Sequence, residues 1–117
     1  MLNQLVAVGR LTSEPTITKL EDKEVCQLTL AVPRSYKNAD GVYDTDFIDI
    51  VLWNAIATNT CEYCHKGDLV GIKGRIQTTN YETEDGIKHK RTEIIAEKVT
   101  FLSSNSNKIN DELASKE

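Results

Sequence analysis

The sequence lacks the features that define several large classes of protein. No apolar run approaches the ~18–20 residues of a membrane-spanning helix. The N-terminus lacks the basic start and the apolar core of a signal peptide. The chain has 3 cysteines, an odd number that fits a reducing compartment better than a disulfide framework. We therefore expect a cytoplasmic protein that has no membrane association.

Net positive charge is also missing. The 117 residues include 14 bases and 18 acids, giving a net charge of -4, whereas nucleic-acid-binding domains are usually basic. A site for an anionic partner must then come from local placement of the bases.

The length suits one domain with one core. We expect this domain to span residues 1–102, followed by a polar, disordered tail at 103–117.

The cysteines include one motif that resembles a cofactor site. Cys61-Glu62-Tyr63-Cys64-His65 matches the C-x-x-C-H pattern of covalent haem attachment. Haem attachment of this type normally needs export, and zinc would need a second Cys/His pair at finger spacing. The motif falls late in a predicted helix, where Cys64 suits a core position. We expect no cofactor, no metal and, without a nucleophile–base pair, no catalysis.

Hydrophobic periodicity predicts five strands and one helix. The strands are predicted at 2–11, 25–32, 47–53, 69–81 and 92–102, and the helix at 55–65 with Asn54 as its N-cap. Residues 34–45 are predicted to form a loop or a long hairpin, and 21–24 a solvated turn. The Gly71–Gly74 pair is better explained by a strand bend than by a KH-type loop. A single short helix between the third and fourth of five strands predicts an all-β OB-fold, a five-stranded Greek-key barrel.

The third predicted strand has two different faces. Positions 48, 50 and 52 are aliphatic and point one way, while Phe47, Asp49, Val51 and Trp53 point the other way. Burial on both faces is one interpretation, and it is the commoner structure for such an apolar run. The other interpretation is an open face whose aromatic rings stack unpaired bases.

Other predicted elements favour the open face. Lys73, Arg75 and Tyr81 share one parity of the fourth strand, and Tyr36 and Lys37 lie in the loop before the third. Each cation taken alone is explained by a solvated strand face. Cations and aromatics together on the exposed parity of an OB-like barrel instead indicate a nucleic-acid surface.

Short stretches in every predicted element carry a further signal. They include LNQLVAVGRL at 2–11, LTLAV at 28–32 with RSY at 34–36, DFI at 46–48 with LW at 52–53, and GRIQT at 74–78 with YE at 81–82. Together they resemble the bacterial single-stranded DNA-binding protein (SSB) family, over residues 1 to about 102.

This resemblance implies a homotetramer of OB-folds that binds and protects single-stranded DNA, independently of sequence, in replication, recombination or repair. Such a protein would be cytoplasmic and associated with the nucleoid. An alternative is an OB-fold primosome accessory or protein-interaction subunit.

The chain resembles short forms that lack the acidic C-terminal tip, so tail-mediated docking of repair and replication proteins is doubtful. The sequence does not explain Asp49. The resemblance implies base stacking on the aromatics Tyr36, Phe47, Trp53 and Tyr81. We expect phosphates to be contacted by the cations Arg10, Arg34, Lys37, Lys73 and Arg75.

Overall fold

The polypeptide forms six strands and one helix in the computed structural model, which describes residues 1–104. Most of the predicted tail at 103–117, from residue 105 onward, lies outside the described residues. No helix in the described part is long and apolar enough to cross a membrane. The elements are β1 (Leu5–Leu11), β2 (Thr18–Leu20), β3 (Lys23–Lys37), β4 (Tyr43–Trp53), α1 (Asn54–Tyr63), β5 (Leu69–Glu82) and β6 (Lys88–Ser103).

Five of the strands close into a barrel. The sheet order is β1-β5-β6-β4-β3-β2, and β1 also pairs with β3 through Arg10–Ala31 and Leu11–Leu30, which closes the ring. Strands β4 and β6 run parallel, whereas the other pairs are antiparallel. The helix lies between β4 and β5, the third and fourth strands of the barrel. The predicted OB-fold is therefore confirmed.

The prediction missed the short strand β2. Its three residues are all exposed, so no alternation marks them, and they pair with the first residues of β3. The predicted turn at 21–24 is shorter in the structure, because Lys23 and Glu24 already belong to β3. Glu21 has a φ of 56°, in the left-handed region, which lets the chain reverse within two residues.

The largest fully buried side chains of the core come from three strands. Leu30 of β3, Ile50 and Leu52 of β4, and Val70 and Ile72 of β5 are each 0% exposed. These are the residues that the period-2 pattern placed on inward faces.

Strand β1 begins at Leu5, three residues later than predicted. The Asn3 side chain instead donates to the Ile76 carbonyl oxygen of β5 and accepts from the Ile76 backbone N–H.

Asn54 does not cap the helix as predicted. It is the first residue of α1, has a φ of 54°, and its side-chain oxygen accepts a hydrogen bond from the Glu24 backbone N–H at 3.2 Å. The side chain thus ties the start of α1 to β3. The helix ends at Tyr63, and the next residue, Cys64, is 3% exposed in the core, as expected for a small apolar side chain.

Gly74 allows two strands of the barrel to approach closely. A Cβ placed on Gly74 would lie 2.3 Å from the Ile95 carbonyl oxygen of β6, and the strand register shifts between Lys73 and Gly74. Gly71 is different, since its nearest neighbour would lie 3.8 Å away. Of the predicted bending pair, Gly74 is the residue that the barrel requires.

Candidate nucleic-acid interface

The outward face of β4 is open, and we name it the β4 row: Phe47, Asp49, Val51 and Trp53. Phe47 is 68% exposed, and Trp53 is half-buried. Residues that pair directly across a ladder point to the same face of the sheet. The row therefore lies beside outward residues of β3, which the register pairs as Ala31–Phe47, Thr29–Asp49, Gln27–Val51 and Val25–Trp53.

The register extends this face across β6 to β5. Val51 pairs with Ile95, and Ile95 pairs with Arg75. Further along β5 the same parity continues through Gln77 and Thr79 to Tyr81. Phe47, Trp53, Arg75 and Tyr81 therefore share one continuous outer face of the barrel.

Tyr81 lies in a cluster near the end of the β5–β6 hairpin. Its ring stacks on the His89 ring, with centroids 5.1 Å apart and an interplanar angle of 18°. The Arg91 guanidinium lies 5.4 Å from the Tyr81 ring centroid, in cation–π geometry. Tyr81 itself is 45% exposed. The arrangement joins an aromatic surface to one guanidinium.

Sequence reasoning missed His89 and Arg91. They belong to the basic run Lys88-His89-Lys90-Arg91, which directly follows the hairpin turn. Three bases and a histidine in four consecutive residues of an acidic chain are a signal that could have identified this part of the face.

Arg34 is engaged within the protein. Its Nε and Nη2 donate to the Asp46 carboxylate at 3.2 and 2.9 Å, and its Nη1 lies 3.8 Å from Asp44. The hydrogen bonds from Arg34 lower the pKa of Asp46, and those same bonds raise the pKa of Arg34. The predicted phosphate contact would have to compete with two carboxylates.

Arg10 and Arg75 also have protein partners. Arg10 pairs with Ala31, which places it on the same face as Phe47, but its Nη1 donates to the Gly67 carbonyl oxygen at 3.0 Å. Arg75 Nη1 lies 3.7 Å from Glu97, and both side chains are partly exposed. An exposed ion pair of this kind exchanges with solvent at little cost, so Arg75 can also reach a phosphate.

Lys73, Lys37 and Tyr36 are all exposed. Lys73 is paired in register with Lys98 of β6, which brings two amino groups to neighbouring positions. Lys37 lies 5.6 Å from the Tyr43 ring centroid, at the far end of the β3–β4 hairpin. Tyr36, at the same end, is 62% exposed. Residues 34–45 thus form the end of the β3–β4 hairpin, one of the two predicted alternatives, and not a free loop.

Asp49 has a partner that the sequence could not indicate. The Thr29 hydroxyl of β3 donates to Asp49 Oδ1 at 2.7 Å. The two residues lie in a groove of about 550 Å³ between β3, β4 and the start of β6. Gln27, Arg91 and Glu93 line the same groove.

The cysteine motif lies away from this face, in and after α1. Cys26 and Cys64 are buried and Cys61 is partly buried. Burial raises the pKa of the Cys26 thiol to about 12, and it also raises the pKa of Cys64. The structure shows no group of three or more potential ligands arranged for a metal ion in residues 1–104.

Comparison with known proteins gives a consistent result. Residues 2–102 match the single-strand binding protein family. The chain is 46% identical over 103 residues to single-stranded DNA-binding protein B of Bacillus subtilis, covering 87% of this chain and 91% of that protein. It is 44% identical over 108 residues to single-stranded DNA-binding protein 3 of Listeria innocua, covering 92% of this chain and 68% of that protein. Single-stranded DNA-binding protein 1 of Lactococcus lactis is 43% identical over 106 residues, covering 90% of this chain and 71% of that protein.

Proposed function

The chain belongs to the single-strand binding protein family, and from this premise we propose that it binds and protects single-stranded DNA without requiring a sequence. The observation that carries the proposal is the continuous outer face, which displays Phe47, Trp53 and Tyr81 on strands of one barrel. Flat exposed rings suit single strands, because every base has a π face and only unpaired bases can stack on protein.

Stacking supplies the sequence-independent part of the affinity. Each base stacked on an aromatic side chain contributes about 1–3 kcal/mol, as measured by truncation. Phe47 is the most accessible of the three rings on the outer face, and Tyr36 adds a ring at the end of the β3–β4 hairpin. We propose that the DNA runs from that hairpin across β4 to the Tyr81 cluster.

Phosphate contacts supply a salt-dependent part. Lys73 and its neighbour Lys98 can serve this role, since both are exposed on adjacent strands of the single chain. Arg75, Arg10 and Lys37 contribute after rearranging their present contacts. Arg34 contributes least, because reaching a phosphate would break its hydrogen bonds to Asp46 and its ion pair with Asp44.

The bound strand cannot re-pair or be cut, so the protein serves replication, recombination or repair by protection, and it needs no cofactor for this. Discrimination against RNA is modest, because stacking does not read the sugar. A protein that coats single strands in the cytoplasm would be found with the nucleoid.

We propose a homotetramer as the working state. Strand β1 presents Val6 and Val8 outward at 72% and 46% exposure, with Leu102 of β6 nearby at 47%. Neighbouring exposed apolar side chains on a sheet favour association between copies. Sedimentation equilibrium should give four times the 13.1 kDa chain mass, and Val6→Glu should lower it. A monomeric mass for the wild-type protein would contradict this proposal.

The test of the function is a binding measurement with labelled oligo-dT and a duplex of equal length. We expect tight occupancy of long oligo-dT by the isolated protein and weak binding to the duplex. An OB-fold accessory subunit, the alternative function, would bind oligo-dT weakly by itself and need a protein partner. Equal binding to both nucleic acids would overturn the proposal.

A further inference from the structure

The groove beside the β4 row carries an unusual charge for a DNA-binding face. It contains the carboxylates of Asp49 and Glu93 and one guanidinium, Arg91, whose Nη1 lies 3.8 Å from Glu93 Oε1. The groove is therefore net acidic. A phosphate would be repelled there, whereas an uncharged base edge would not.

The position of the groove on the proposed DNA-binding face suits a nucleobase. It opens on the same outer face as Phe47 and Trp53, and Arg91 connects it to the Tyr81 ring. A strand that stacks one base on the β4 row and another on Tyr81 would pass over this groove. This step rests on the proposed function, since it requires single-stranded DNA on this face.

The lining of the groove favours one kind of base edge. The hydrogen bond from Thr29 fixes Asp49 Oδ1 and leaves Oδ2 to accept from an incoming donor. An ionised carboxylate accepts from the exocyclic amino group of cytosine. Gln27 and Arg91 also line the groove, and their N–H groups suit the ring nitrogen next to that amino group and the carbonyl oxygen on its other side.

Thymine fits the same groove less well. It presents a carbonyl oxygen where cytosine presents the amino group, so an acceptor would face the Asp49 carboxylate. We infer that the Thr29–Asp49–Arg91 groove takes a nucleobase through its exocyclic amino group, and gives this protein a preference for cytosine over thymine at one position of the bound strand. The preference raises the affinity for strands that carry cytosine at that position, and it requires no particular sequence.

The experiment compares oligo-dC with oligo-dT of equal length, for the wild-type protein and Asp49→Asn. The measured quantity is the ratio of the oligo-dT dissociation constant to the oligo-dC dissociation constant. Comparing this ratio between the two proteins cancels general charge effects of the substitution and the different flexibility of the two strands. The amide introduced by the substitution can turn a donor toward thymine, so we expect Asp49→Asn to lower the ratio about fivefold or more.

The matched control is Glu62→Gln, the same change of a carboxylate to an amide at an exposed position of α1. It should leave the ratio unchanged. If Asp49→Asn also leaves the ratio unchanged while both oligonucleotides bind, Asp49 serves only the cross-strand bond to Thr29 and the inference is wrong. If neither oligonucleotide binds to the wild-type protein, it is the proposed function that fails.

Discussion

Replacing Phe47 by alanine should separate the function of the outer face from the stability of the barrel. The Phe47 side chain is 68% exposed and lies opposite Ala31 on β3. Because most of the side chain is exposed, its removal takes away little buried apolar area. We therefore expect the free energy of unfolding to change by no more than about 0.5 kcal/mol, the usual range for a surface substitution.

The effect on DNA binding should be much larger. The loss of one stacked base costs about 1–3 kcal/mol. At 25 °C this corresponds to a dissociation constant raised roughly 5- to 150-fold, since about 1.4 kcal/mol is a factor of ten. The lower part of this range applies if the base finds a second ring nearby, such as the half-buried Trp53 on the same row.

The assay is a titration with oligo-dT of roughly 10 nucleotides, within the span of one OB-fold, combined with a urea unfolding curve. Tyr63→Ala is the matched control, because Tyr63 is 67% exposed but lies at the end of α1, away from the outer face. Tyr63→Ala should bind like the wild-type protein. Equal affinities for Phe47→Ala and Tyr63→Ala would refute the assignment of Phe47 as a stacking residue.

Three further predictions concern the charges and glycines of the barrel. Lys73→Gln should lower the magnitude of the slope of log affinity against log salt by about 0.7. Arg34→Gln removes a cation that is already paired within the protein, so it should leave this slope nearly unchanged. A larger change for Arg34→Gln than for Lys73→Gln would show that the Arg34 ion pairs do not persist in the complex. Gly74→Ala should destabilise the protein by about 1–3 kcal/mol in urea unfolding, because its Cβ would lie 2.3 Å from a β6 carbonyl oxygen, and equal stability of Gly74→Ala and Gly71→Ala would contradict this. The folded-state pKa of Asp46 lies below its ordinary value, so the ion pair stabilises the fold above the unfolded-state pKa of about 3.9 and is lost as the pH falls through the folded-state value. Carboxyl NMR should show the Asp46 pKa returning to the ordinary range in Arg34→Gln, and an unchanged pKa would contradict the pairing.

The sequence predicted the strands whose burial alternates along the chain. Residues such as Leu30 and Ile50 face the core because side chains in a strand change sides at every residue, a rule that needs no tertiary information. Strand β2 escaped prediction because its three exposed residues carry no such pattern. The role of Asn54 also escaped, since its backbone partner, Glu24, is distant in sequence.

The candidate site shows the same division. Parity within one strand placed Phe47 and Trp53 on the same face, and the cations and aromatics of other predicted elements favoured an open face. The partners of Arg34 and Asp49 depend on how β3 and β4 align, and no local pattern gives that register. Arg91 reaches the Tyr81 ring only because β5 and β6 pair as a hairpin.

The most direct test of binding at the outer face is the fluorescence of Trp53 during titration with oligo-dT at low salt. Trp53 is the only tryptophan in the chain, so its emission reports on one defined point of that face. We predict strong, saturable quenching as a base stacks on the indole ring, and progressive loss of the quenching when salt is added to the complex. Unchanged emission at saturating oligo-dT would contradict the claim that this face binds single-stranded DNA.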